Sequence, residues 1–250
     1  HYPLRRQRQM CIRDRLYRIP VVNIIGSEGN GIYGAAFNIY NIMLVLSSYG
    51  LPMAVSKLVS ARFTKKRYKS AAKVLRCSLM VAVCTGGIAA LLVFFGAAFI
   101  ENVIYGGGLP GLAVPLRILA PTIFLVAILG VIRGFFQGQS TMIPTAVSQI
   151  LEQIVNAIVS IAAGYGMMKA FASSPDVAAY GAAGSTLGTA MGALTAVLFM
   201  GFLYAVYTPT FNRLKRKDRH TENQSTGQIC KIIIYTCLLY TSPSPRDVEE

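Results

Sequence analysis

Glu152 is the residue of this sequence with the most chemistry open to it, because its carboxylate stands in the middle of the apolar segment TMIPTAVSQILEQIVNAIVSIAAGYGMM, residues 141–168. Gln149 lies just before it and Asn156 and Ser160 follow at four-residue steps, with Thr145 and Ser148 extending the series backward. Residues three and four apart share one face of a helix, so this spacing writes a polar stripe along an otherwise apolar helix. A carboxylate at bilayer depth costs on the order of 2.5–3.5 kcal/mol on insertion scales, which sends it to a bundle interior or a wet cavity. The stripe then has two uses: a cavity-lining or ion-coupling face, or hydrogen-bonding glue between helices. The spacing fits both.

Arg133, followed by Gly134, Gln137, Gly138 and Gln139, also has two readings. At the end of a span it anchors the helix at the cytoplasmic surface, the expected use. Alternatively its planar fork binds an anion at a cavity mouth. A weaker stripe of Gly34, Asn38, Asn41 and Ser48 precedes Gly50-Leu51-Pro52. Its amides either line a pathway or pair with another helix, and packing is the expectation.

Other chemistries find no support. His1 and His220 are the only histidines, and Cys11, Cys77, Cys84, Cys230 and Cys237 show neither metal spacing nor a disulfide framework. No catalytic constellation, metal site or cofactor is expected. GSEGNG at 26–31 is glycine-rich but lacks the strand-then-helix context of a phosphate cradle, and a tight external turn is expected instead. Gly184, Gly188 and Gly192, with Gly181 nearby, form a ridge of small residues that lets another helix come close.

The elements that must position these residues are membrane helices. Of 250 residues, 54% are hydrophobic and only 14% charged, against about 25% charged in a soluble domain. The formal charge of +14 is confined to short segments between apolar runs, which argues against nucleic acid as a partner. The expected fold is an all-α polytopic bundle with five spans at roughly 32–54, 74–98, 116–136, 142–168 and 182–207. Shorter apolar pieces, Ile19 to Ile25 and Ile229 to Tyr235, read as parts of a preceding and a following helix.

Charge fixes the orientation. Lys57, Arg62, Lys65, Lys66, Arg67, Lys69, Lys73 and Arg76 crowd the first connection, and Arg213, Lys215, Arg216, Lys217 and Arg219 follow the fifth span. Basic connections stay cytoplasmic. Loops 55–73, 133–141 and 208–228 therefore face the cytoplasm, and 26–31, 99–115 and 169–181 face out. The basic loop 57–76 also attracts anionic membrane lipids.

The two ends differ from what they flank. QRQMCIRDR within residues 1–15 and CLLYTSPSPRD at 237–247 resemble translated sequencing-adaptor read-through. Residues 1–15 and 237–250 are thus expected to be foreign tails around a genuine segment, 16–236.

GSEGNGIYGAAFNIYNIMLVLSSYGLPMAVSKLVSARF at 26–63 resembles the start of the stage V sporulation protein B family and its polysaccharide-biosynthesis relatives, in the multidrug/oligosaccharidyl-lipid/polysaccharide flippase superfamily. RGFFQGQSTMIPTAVSQILEQIVN at 133–156 is similar to the same family's fourth-to-fifth helix junction. The resemblance implies a two-lobed transporter of fourteen or so helices working by alternating access, of which this chain is most of the N-terminal lobe. It implies flipping of polyprenyl-diphosphate-linked sugars, such as lipid II or oligosaccharide repeat units, across a bacterial cytoplasmic membrane. A Na+- or H+-coupled drug or metabolite exporter of the same superfamily is the alternative. A membrane-embedded glycan enzyme fits less well, because the outer loops are short and nearly uncharged.

Overall fold

A computed structural model describes residues 26, 28–47, 50–172, 176–218 and 226–241. These residues form helices and turns, with no strand among them. In order they are α1 (28–47), α2 (Gly50–Thr64), α3 (Tyr68–Phe99), which runs into a wider π-helical turn at Ile100–Ile104, α4 (Ala113–Gln137), α5 (Ile143–Ala170), α6 (Val177–Lys217) and α7 (Thr226–Thr241). Among the described residues, five stretches are long and apolar enough to cross a bilayer: Glu28–Thr64, Tyr68–Ile104, Ala113–Gln137, Ile143–Ala170 and Val177–Lys217. Without water to satisfy them, backbone amides must pair within the segment, so apolar runs of this length become helices. The five expected spans are all present.

They are longer than expected, and the excess redraws the connections. The basic stretch 55–73 is not a loop, because α2 continues to Thr64 and α3 begins at Tyr68. Likewise α6 carries its helix through to Lys217. Lys and Arg are good helix formers, so nothing stops these helices where the apolar residues end. At 41 residues α6 is about 60 Å long, roughly twice the hydrocarbon thickness. GSEGNG is not a turn over its length either: Gly26 has a positive φ of 71°, but 28–31 already belong to α1. Glu28 suits a first helical turn because its charge complements the helix dipole.

The apolar piece Ile229 to Tyr235 lies within α7, as expected, and α7 also takes in residues 237–241 of the expected foreign tail. Residues 1–15, the piece Ile19 to Ile25, Ser48 and residues 242–250 lie outside the described residues.

The chain divides into two compact units, and every α-helix except α2 and α7 contributes to both. The first unit contains Val93–Ala120 and Gln153–Gly192 with the start of α1. Its core includes Ile32, Ala36, Leu112, Leu116, Leu119, Ala182 and Ala183. Here Glu101 closes the link between α3 and α4, its carboxylate accepting from the backbone N–H groups of Gly111 at 3.0 Å and Ala113 at 2.7 Å. The Ala113 amide opens α4 and the Gly111 amide lies just before it, so the carboxylate acts as a remote cap of the helix start.

The second unit contains Asn41–Leu92, Pro121–Glu152 and everything from Ala193. Phe135 and Phe211 are fully buried at its centre, with ring centroids 5.5 Å apart, and Phe63, Tyr68, Phe136, Tyr204 and Tyr207 surround them. Edge-to-face aromatic pairs of this kind add about 0.5–1.5 kcal/mol each beyond burial. Asp218, 6% exposed, accepts from the backbone N–H of Lys69 at 2.9 Å and so ties the end of α6 to the first turn of α3.

Candidate functional site

The turn between α4 and α5 sets the site. The Ser140 N–H donates to the Gln137 carbonyl and the Thr141 N–H to the Phe136 carbonyl, and Ser140 takes a left-handed φ of 61°. This double closure, usually made with glycine in Ser140's place, reverses the chain immediately after α4. Within the second unit the last turns of α4 therefore lie beside the first turns of α5.

Gly130, Gly134 and Gly138 seat α4 against α2. A Cβ on Gly134 would meet the Pro52 carbonyl oxygen at 2.6 Å, and one on Gly138 would meet the Ser56 carbonyl oxygen at 2.8 Å. Only hydrogen fits there. Arg133, adjacent on the helix, is thus carried by a backbone held at closest approach to its neighbour.

Arg133 does not reach outward as a surface anchor. Its Nη2 donates to Glu152 Oε2 at 2.7 Å, and its Nε donates to Ser148 Oγ at 3.0 Å. Ser148 in turn donates to the Thr145 carbonyl at 2.8 Å. Side chains lean toward the N-terminus of their own helix. Arg133 therefore leans inward along α4, while Glu152 on antiparallel α5 leans back toward the turn, and the two meet. Glu152 stands about 13 Å along α5 from Ile143. The Arg133 and Glu152 side chains are only 14% and 21% exposed. Pairing neutralises two charges that would each be costly alone in apolar surroundings.

The expected stripe is divided. Glu152 pairs with Arg133 between α5 and α4. Asn156 belongs to the first unit and is buried there, where its side-chain oxygen accepts from Ser160 Oγ at 2.9 Å. Ser160 also lies 2.9 Å from the Ser185 carbonyl of α6. α6 comes this close because Gly184 and Gly188 face Ala163 and Ser160 with no room for a Cβ, as the small-residue ridge implied. Gln149 is exposed and joins neither cluster. Asn38 and Asn41 are exposed on α1, away from its buried Ile32, Tyr33, Ala36 and Tyr40. The expected packing of these amides against another helix is therefore not found among the described residues. Thr145 is buried at 5% exposure, and its hydroxyl has no partner among the described residues.

Three features escaped the sequence reading. The Gly130, Gly134 and Gly138 ridge carries the same four-residue signal as the α6 ridge. Asp218 gave no such signal, since the Lys69 amide it caps lies far away in sequence. Arg117, exposed near the start of α4, lies within an expected span. Among the described residues, no cluster of three or more His, Cys, Asp or Glu could hold a metal ion.

Fold and site define a multi-pass, all-helical membrane protein with charged and polar side chains paired inside its spans. The model of the family described as "polysaccharide biosynthesis protein" matches residues 14–239, and the chain belongs to that family. Among its relatives in Bacillus subtilis (strain 168), the lipid II flippase MurJ is 33% identical over 166 residues, covering 64% of this chain and 30% of MurJ. Stage V sporulation protein B is 30% identical over 185 residues, covering 73% of this chain and 34% of that protein. The uncharacterized membrane protein YabM is 28% identical over 233 residues, covering 92% and 41%. The chain thus spans between 30% and 41% of the length of these curated relatives. No solved structure matches it.

Proposed function

We propose that the intact polypeptide flips polyprenyl-diphosphate-linked sugars, lipid II or oligosaccharide repeat units, across the bacterial cytoplasmic membrane by alternating access. In this reading residues 16–236 form most of an N-terminal lobe and work by transport rather than catalysis. The ends of α2 and α6 and the start of α3 face the cytoplasm. The physical task is to pass a diphosphate-sugar headgroup through a region of low dielectric, which requires cationic donors within the spans. The observation that carries the reading is Arg133, held inside by Glu152 and Ser148 in a chain related to a lipid II flippase. Arg133 is the phosphate-facing candidate, Glu152 its counter-ion, and Gln149, Asn38 and Asn41 supply exposed amides for sugar hydroxyls. Asn156 shapes the α5–α6 contact.

In the alternative, a Na+- or H+-coupled exporter, Glu152 is the coupling carboxylate and must be released from Arg133. Arg133 already engages one of its oxygens.

The test is complementation with the full-length protein in cells depleted of their own lipid II flippase. The reading predicts continued appearance of lipid-linked precursor in the outer leaflet. Trapping of the precursor in the inner leaflet despite membrane insertion, together with gradient-driven efflux of cationic drugs, would decide for the exporter.

A further inference from the structure

The basic residues around the α2–α3 turn and those of α6 lie far apart in sequence, yet two independent contacts bring these helix ends together. The rings of Phe63 near the end of α2 and Phe211 near the end of α6 stack with centroids 6.1 Å apart and planes within 4°. The Asp218 carboxylate, just past α6, caps the Lys69 amide of α3. Asp218 is the acidic residue at this end among the described residues, and capping buries it. The buried carboxylate complements the N-terminal end of the α3 dipole.

What remains exposed is basic on both sides of this junction: Lys65, Lys66 and Arg67 in the turn between α2 and α3, and Arg213, Arg216 and Lys217 on α6. The turn is closed, with the Lys66 and Arg67 N–H groups donating to the Phe63 and Arg62 carbonyls at 2.9 Å. These backbones are fixed, and the basic groups occupy helix ends that emerge from membrane-spanning segments. Basic groups just outside a span are attracted to the phosphates of anionic lipids.

We infer that the α2–α3 turn and the end of α6 form one composite site for anionic phospholipid headgroups, not two independent basic segments. The inference rests on the chain spanning a membrane and not on the flipped substrate, so it stands or falls separately from the flippase reading. Phosphate oxygens accept from the Lys and Arg groups of both sides, and a headgroup bound between them engages both at once. Loss of either side then weakens the whole site.

The experiment uses the full chain reconstituted in phosphatidylcholine vesicles containing spin-labelled phosphatidylglycerol, with spin-labelled phosphatidylcholine as the reference. The readout is the association of the anionic label relative to the neutral one, without any sugar-linked substrate. Three variants are compared: Lys65, Lys66 and Arg67 changed to Gln, Arg213, Arg216 and Lys217 changed to Gln, and both sets together. All six positions are exposed, and a retained helical spectrum confirms folding. Each triple change is expected to remove most of the preference, on the order of tenfold, with little further loss in the combined variant. Equal partial losses that simply add in the combined variant would overturn the composite site. So would an unchanged preference in either triple variant, or a preference insensitive to salt.

Discussion

Arg133 Nη2 lies 2.7 Å from Glu152 Oε2, joining α4 to α5 across a turn that reverses the chain between them. Neither charge is tolerable alone in apolar surroundings, and each makes the other possible.

Glu152→Ala leaves the Arg133 guanidinium uncompensated, and destabilisation of about 3–5 kcal/mol is expected. Exchanging the charges, Arg133→Glu with Glu152→Arg, should recover a substantial part of it. Reversible unfolding in mixed detergent micelles measures both. Equal stability of Glu152→Ala and the parent would show that the pair contributes nothing.

Two glycines of similar helical context should respond with opposite sign. Gly134→Ala places a methyl 2.6 Å from the Pro52 carbonyl oxygen and should destabilise by about 1–3 kcal/mol. Gly87→Ala in α3 meets nothing within 4 Å and should stabilise by up to about 1 kcal/mol through helix propensity. The same micelle unfolding assay separates the two.

Five spans were legible in the sequence because an apolar run near 20 residues has one structural solution in a bilayer. Their ends were not, because Lys57, Leu58, Ala61 and Arg62 of α2 and Arg213 to Lys217 of α6 are helix formers that stay helical past the hydrocarbon. Glu152 and Arg133 were each visible as charges in apolar surroundings, but their pairing was not. It depends on the α4–α5 turn, where Ser140 adopts a backbone conformation that glycine normally supplies. The Gly184 and Gly188 contact was readable from spacing alone. The exposure of Gln149 was not, since helical periodicity placed it on the same face as the buried Thr145 and Asn156.

Lys66 has a φ of 54° at the end of α2, the position glycine usually takes in such a helix stop. Lys66→Gly should therefore raise stability by about 0.5–1 kcal/mol, the steric relief exceeding the extra unfolded-state entropy. An unfolding midpoint at or below that of the parent would contradict this.

Glu101→Ala removes both acceptors that cap the start of α4. The amides of Gly111 and Ala113 should lose protection in hydrogen exchange, with about 1–2 kcal/mol of local stability. Glu101→Gln, which keeps one carbonyl acceptor, should fall between. Exchange of these amides at the parent rate in both variants would remove Glu101 from this role.

The central claim is that the Arg133–Glu152 pair serves the passage of a diphosphate headgroup. Its most direct test is the rate at which full-length protein translocates a polyprenyl-diphosphate-linked sugar in reconstituted vesicles, compared among the parent, Arg133→Ala and Glu152→Ala. A loss of at least about tenfold in both variants is predicted, from the approximately 1.5–3 kcal/mol that a charge-assisted hydrogen bond contributes. Translocation at the parent rate by both variants, with the proteins intact in the membrane, would contradict the account.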